Sequence, residues 1–405
     1  MIVQIEKSRA YGTVSAPGSK SVSHRLLIGA AMAQGESVIR GMEYSEDILA
    51  TMDCLRELGA VIRCEGDHVY VQGTDVRCAD PKKPLFCRDS ASTLRFLIPV
   101  ALLCGKKVRF TGSQRLLERP LTVYETLSRS HGFWFERDEA GIWVQGPMQR
   151  GYCPVDASVS SQFVSGLLFA LPLLEGERMG SRLHLRGKIE SRPYIDMTVD
   201  TVQQFGINLF PEDAAAWAIP AAQQYTAGEF CVEGDWSQAA FMEALGILHG
   251  GVRVTGLKED SLQGDKVCRA LLANLQAGFC ETDLSQCPDL GPVLIMMAAA
   301  LHGGVFTGTK RLRIKESDRA KAMKQELEKC GGRITVEEDR VIVEKAVLHA
   351  PEEIIDPHRD HRVAMAMAVL MTVLGGSIRD AECVNKSYPR FFEDLQTLHV
   401  ALSRT

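Results

Sequence analysis

The sequence is short of aromatics, 7% of 405 residues, and has no surplus of positive charge: 46 Lys and Arg stand against 51 Asp and Glu, a formal net charge of −5. A nucleic-acid-binding face needs a basic stripe with interleaved aromatics, so no nucleic-acid partner is expected. Long apolar runs are missing too. The longest, Val363 to Leu374, is too short to span a bilayer, and Met1 to Ala10 mixes Glu6, Lys7 and Arg9 with apolar residues and lacks a signal-peptide h-region. Twelve cysteines include no CxxC pair and no regular spacing, which excludes a zinc ribbon and a disulfide framework and points to reduced thiols. No metal site is expected. No Pro/Gly/Ser-rich linker or low-complexity tract divides the chain, and no GxxxxGK loop is present. These absences predict a cytoplasmic protein with no membrane partner. At 45% hydrophobic content it is long enough to fill two or more cores.

What is present is a repeat. Short strand-like runs ending near glycine recur six times, at 37–41, 108–112, 183–187, 252–256, 304–308 and 376–380. An apolar helical stretch precedes each one, and an amphipathic stretch follows, such as that carrying Ile48, Leu49, Met52, Leu55 and Leu58. Most of these second stretches stop at a glycine suited to a helix end: Gly59, Gly132, Gly206, Gly278 and Gly331. Hairpin patterns follow at 61–72, 134–144 and 334–343. The unit reads helix, strand, helix, hairpin. Because the first helix is apolar nearly all round, an α/β arrangement with buried helices inside and strands outside is expected.

Cations gather where these helices start: Lys20, Arg25, Arg95, Arg119, Lys315, Arg319, Arg362 and Lys386. The first entry, 17–25, reads Pro-Gly-Ser-Lys-Ser-Val-Ser-His-Arg and surrounds one helix start with hydroxyls and positive charge. Free backbone N–H groups at a helix start favour anions. Any one of these could be a cap or a solvated lysine. So many at equivalent ends predict sites for anionic ligands.

Several motifs carry a resemblance to the 5-enolpyruvylshikimate-3-phosphate synthase family over nearly the whole chain. They are the segment 17–25, Ser160-Ser161-Gln162-Phe163, Glu233-Gly234-Asp235-Trp236-Ser237, the segment 311–319, Asp360-His361-Arg362 and Lys386-Ser387. The resemblance implies two similar three-unit domains, an inside-out α/β barrel in each, spanning 18–232 and 1–17 with 233–405, and an active site in the cleft between them. It implies transfer of the enolpyruvyl group of phosphoenolpyruvate to the 5-hydroxyl of shikimate 3-phosphate by a monomer that needs no cofactor. Lys20, Arg119, Gln162, Arg319, Arg362 and Lys386 would surround phosphoenolpyruvate. Ser21, Arg25, Ser160, Ser161, Ser191, Tyr194, Asp289 and Lys315 would hold shikimate 3-phosphate. Asp289 would take the hydroxyl proton, and Glu316, Lys20 and Lys386 would complete the catalytic set. Asp47, Asp89, Ser92 and His361 are further cleft candidates.

The resemblance also marks departures: Arg88 and Ala91 each stand where glycine is usual. A methyl group at Ala91 would crowd glyphosate, which is slightly longer than phosphoenolpyruvate, so tolerance to it is expected. Three readings compete, of which an RNA 3′-phosphate cyclase-like enzyme built on related modules is disfavoured by the acidic chain, which lacks a basic stripe and interleaved aromatics. The UDP-N-acetylglucosamine enolpyruvyl transferase family has Lys-Asn where this chain has Lys20-Ser21 and a loop cysteine that no motif here matches. A catalytically dead binding protein of the same fold would have less reason to keep Lys20, Asp289, Glu316, His361 and Lys386.

Overall fold

Six helices are buried over most of their length: Lys20–Met32, Ala91–Leu102, Ser161–Ala170, Trp236–His249, Gly291–Ala300 and His361–Leu374. Their sequences leave no wet face, so each must be covered by other elements. The structure, a computed structural model, describes residues 1–176 and 180–405. It is a mixed α/β fold of two compact units, Gly18–Val232 and Met1–Pro17 with Glu233–Thr405. Each unit has its own apolar core, one built around residues such as Phe96, Phe169 and Leu27, the other around Phe241, Met296 and Met367.

Strand patterning follows period two. In Lys107–Thr111, Val108 and Phe110 are buried while Lys107 is exposed. The expected hairpins form: Val61–Glu65 with His68–Gln72, Trp134–Asp138 with Gly141–Gln145, and Arg333–Val336 with Arg340–Glu344. Each packs into a four-stranded sheet whose fourth strand runs parallel to the recurring strand.

A further hairpin, Phe210–Asp213 with Ala216–Ile219, was not legible in the sequence. Its first strand reads Phe-Pro-Glu-Asp, is exposed throughout, and breaks register between Pro211 and Asp213, so it carries no alternating signal. Among the described residues, two repeats have no hairpin. There, strands from the chain's ends complete the sheets: Gly12–Ser15 lies parallel to Val252–Thr255, while Val3–Ile5 sits between Gly376–Ile378 and Leu402–Arg404.

Four of the five glycines that end second helices are left-handed, with φ of 105° at Gly59, 67° at Gly132, 84° at Gly206 and 83° at Gly331. Gly278 corrects the expectation. Its φ of 165° is extended backbone open to any residue, so it ends its helix without a left-handed turn. Most of the cysteines are buried, and all twelve are free thiols. Among the described residues, no helix is long and apolar enough to cross a membrane, and no His, Cys, Asp and Glu group is arranged to hold a metal ion.

Candidate active site

Five of the six buried helices begin with a side-chain cap. Ser19, Ser90 and Ser160 accept from the backbone N–H of Val22, Thr93 and Gln162; Asp235 and Asp360 accept from Gln238 and Arg362. The sixth, Gly291–Ala300, has no such cap and follows the short turn Pro288–Leu290 that carries Asp289. Capping fixes where each chain segment enters, and so where the next few side chains stand.

In the unit Gly18–Val232, Lys20 opens its helix and its Nζ lies 2.8 Å from Asp47 Oδ2. One turn later Arg25 is 2% exposed. Its Nε donates to Thr198 Oγ1 at 2.8 Å, and its Nη atoms donate to the carbonyls of Ser21 at 2.6 Å and Tyr194 at 2.7 Å. The guanidinium also stands 5.2 Å from the Phe96 ring centroid. Burial lowers the Arg25 pKa to about 10, which leaves it charged at neutral pH. None of these partners is a carboxylate, so the buried charge keeps its capacity to hold an anion.

Nearby, Arg95 Nη1 donates to Gln162 Oε1 at 2.8 Å and Gln162 Nε2 donates to Ser92 Oγ at 2.9 Å, which fixes the orientation of the Gln162 amide. Ser161 is the first residue of that helix and is buried, and Arg119 is buried between two short helices. Ser191 precedes the helix Arg192–Gln204 with a left-handed φ of 54°. A serine held there is strained, and such strain gathers at ligand sites. Ser113 Oγ donates to Asp89 Oδ1 at 2.6 Å.

The other unit concentrates charge of both signs. Asp289 accepts from Lys315 Nζ at 3.1 Å, Arg319 Nη1 at 2.8 Å and Arg362 Nη2 at 3.2 Å. Arg319 is 1% exposed and also donates to Glu316 Oε2 and Asp360 Oδ2, each at 2.8 Å. Lys386 Nζ lies 3.9 Å from Glu316 Oε1. Burial pushes the Asp289 carboxyl up, but Arg362, Lys315 and Arg319 outweigh it and hold the group well below the usual carboxylate range. Lys315 goes the other way: burial, with Arg311 and Arg319 nearby, lowers it to about 8 although Asp289 opposes the shift.

Among the sequence-predicted residues, Lys20 is thus linked to Asp47, Arg25 to Ser21 and Tyr194, and Gln162 to Ser92 in one unit, and Asp289, Lys315, Glu316, Arg319, Arg362 and Lys386 form one cluster in the other. Lys386 departs from the helix-start pattern, since it ends the short turn Ala381–Lys386. Arg319 starts a half-exposed helix, not a buried one. His361 is buried beside Asp360, with Nδ1 4.0 Å from the carboxylate. Sequence reasoning missed Thr198 and Ser165, which share a 2.7 Å hydrogen bond and hold Arg25 from about 140 to 170 positions away. No local pattern signals a partner at that separation. Asp360 was legible as part of a motif, but its grip on Arg319 was not.

Comparison with known proteins bears on the whole chain. The sequence profile of EPSP synthase, described as 3-phosphoshikimate 1-carboxyvinyltransferase, matches residues 5–395. Proteins named 3-phosphoshikimate 1-carboxyvinyltransferase from Clostridium kluyveri and Clostridium perfringens are 38% and 37% identical, over 98% of this chain and 97% and 98% of theirs. In fold, the chain is similar to an EPSP synthase from Acinetobacter baumannii, with a TM-score of 0.75 at 23% identity and coverage of 100% and 99%. It is also similar to the enolpyruvyl transferase NikO from Streptomyces tendae, with a TM-score of 0.79 at 15% identity and coverage of 100% and 98%.

Proposed function

The chain belongs to the EPSP synthase family, and on that premise we propose how its residues transfer the enolpyruvyl group of phosphoenolpyruvate to the 5-hydroxyl of shikimate 3-phosphate, releasing phosphate. The observation that carries the reading is the cluster in which Asp289 bears three cations. A carboxylate so neutralised is a poor base. Anionic substrates compete for Lys315, Arg319 and Arg362, and as they draw those cations away the basicity of Asp289 rises where the hydroxyl must lose its proton.

The hydroxyl oxygen then bonds to C2 of phosphoenolpyruvate, and a proton passes to C3 from the Lys20 ammonium, or from Glu316 after it has itself been transiently protonated. Loss of a proton from C3 and departure of the phosphate from C2 restore the double bond. Lys20, Arg119, Gln162, Arg319, Arg362 and Lys386 hold phosphoenolpyruvate. Ser21, Arg25, Ser160, Ser161, Ser191, Tyr194, Asp289 and Lys315 hold shikimate 3-phosphate, and Asp47, Asp89, Ser92 and His361 steady them. Arginine suits these ligands because its planar fork matches carboxylate and phosphate oxygens in pairs. The buried, carboxylate-free environment of Arg25 supports its part. Each unit is read as an inside-out α/β barrel, supported by its three buried helices, and the active site as the cleft between the units. The enzyme works as a cytoplasmic monomer.

Phosphate release in the presence of both substrates tests the chemistry. Glu316→Gln is expected to lower turnover by about 10²-fold or more while shikimate 3-phosphate binding stays nearly intact. Turnover close to that of the unaltered chain would reduce Glu316 to a counter-ion. Ala91 carries the inhibitor reading: it is the first residue of its helix and buried. Its methyl crowds glyphosate by about 1 to 3 kcal/mol, roughly tenfold to a hundredfold in affinity. Ala91→Gly should therefore be markedly more sensitive to glyphosate, and equal inhibition constants would sink the idea.

A further inference from the structure

Residue 88 is an arginine in a backbone conformation that suits glycine. Its φ of 51° lies in the left-handed region, where a Cβ crowds the following carbonyl. Contacts on both sides hold this conformation. On one side the guanidinium reaches the helix Glu46–Glu57, meeting Glu46 Oε2 through Nη1 and donating to Asp53 Oδ2 through Nη2 at 3.0 Å. On the other, the Arg88 carbonyl accepts from Ser113 N at 2.7 Å, beside the bond from Ser113 Oγ to Asp89.

The loop then caps the buried helix through Ser90, and Ala91 is the next residue. The helix that receives Arg88 also carries Asp47, the partner of Lys20. One arginine therefore ties the Ala91 loop to the same rigid element that steadies Lys20. Partly exposed ion pairs contribute little to stability singly, but two carboxylates gripping one fork fix a geometry.

We propose that Arg88 is a positioning residue that sets how close the Ala91 methyl stands to phosphoenolpyruvate, so that the arginine and the alanine act as a pair. The pairing rests on the proposed function, with the added premise that phosphoenolpyruvate, like glyphosate, lies against the helix start at Ala91. Without the tether the loop relaxes and the methyl encroaches on substrate; with glycine at 91 there is no methyl to hold back.

The test is a double-mutant cycle on phosphate release, with the unaltered chain, Arg88→Gly, Ala91→Gly and the double variant. Arg88→Gly is expected to raise KM for phosphoenolpyruvate about tenfold, with kcat and the KM for shikimate 3-phosphate within about twofold. In the Ala91→Gly background the same change should move that KM less than about twofold. Arg88→Lys should recover part of the loss. The melting temperature of Arg88→Gly should not fall, because glycine adopts this φ freely. Equal effects in both backgrounds, or no effect on KM, would overturn the pairing. If Ala91→Gly alone alters glyphosate inhibition while Arg88→Gly is additive, the pairing fails and the placement of phosphoenolpyruvate stands. If Ala91→Gly changes neither the KM nor the inhibition, the placement fails and takes the pairing with it.

Discussion

Lys315 and Asp289 make contact at 3.1 Å, yet burial dominates the lysine and attraction dominates the carboxylate. The consequence is a pH dependence with opposite signs for ligand and fold. In the free protein Lys315 loses its proton near pH 8, so affinity for shikimate 3-phosphate is expected to fall as pH rises from 7 to 9. For stability, the unfolded chain binds the extra proton between about 8 and the ordinary 10.5, so this group's contribution rises with pH across that window. Titrating substrate affinity against pH checks the first, and Lys315→Arg should flatten the curve because arginine stays charged. An unchanged profile in Lys315→Arg would remove Lys315 from the phosphate site. At this scale the sequence was legible where motifs concentrate charge, as in Lys315, Glu316 and Arg319. It was silent on which charges cancel, since Asp289 and Arg362 meet across 73 positions.

At the scale of elements, the buried helices are held at close range by small residues. A Cβ on Gly166 would stand 2.5 Å from the Arg95 carbonyl oxygen and 2.8 Å from the Tyr124 hydroxyl. Tyr124 donates to that same carbonyl, so neither neighbour can yield easily. Gly166→Ala should therefore push the helices Ser161–Ala170 and Ala91–Leu102 apart, at a cost of about 1 to 3 kcal/mol. Thermal unfolding is the check, and an unaltered melting temperature would mean that the helices adjust without strain. The same helices were the most legible part of the sequence, because an all-apolar face announces burial whatever the topology. Hairpins were legible only where alternation survives: Val61 to Gln72 shows it, and the exposed Phe210–Asp213 does not.

For the whole molecule, the residues assigned to substrates come from both units. Arg25, Arg119, Gln162 and Tyr194 belong to one, and Asp289, Lys315, Arg319 and Lys386 to the other. The repeat announced six similar modules, but periodicity alone could not assign the first strand, whose partners are Gly376–Ile378 and Leu402–Arg404 at the far end of the chain. We propose that anionic substrate draws the two clusters of cations together to serve one site. Small-angle scattering, with shikimate 3-phosphate absent and then saturating, puts this to the test. A smaller radius of gyration with ligand is predicted; an unchanged profile, with binding verified in the same sample, would contradict it.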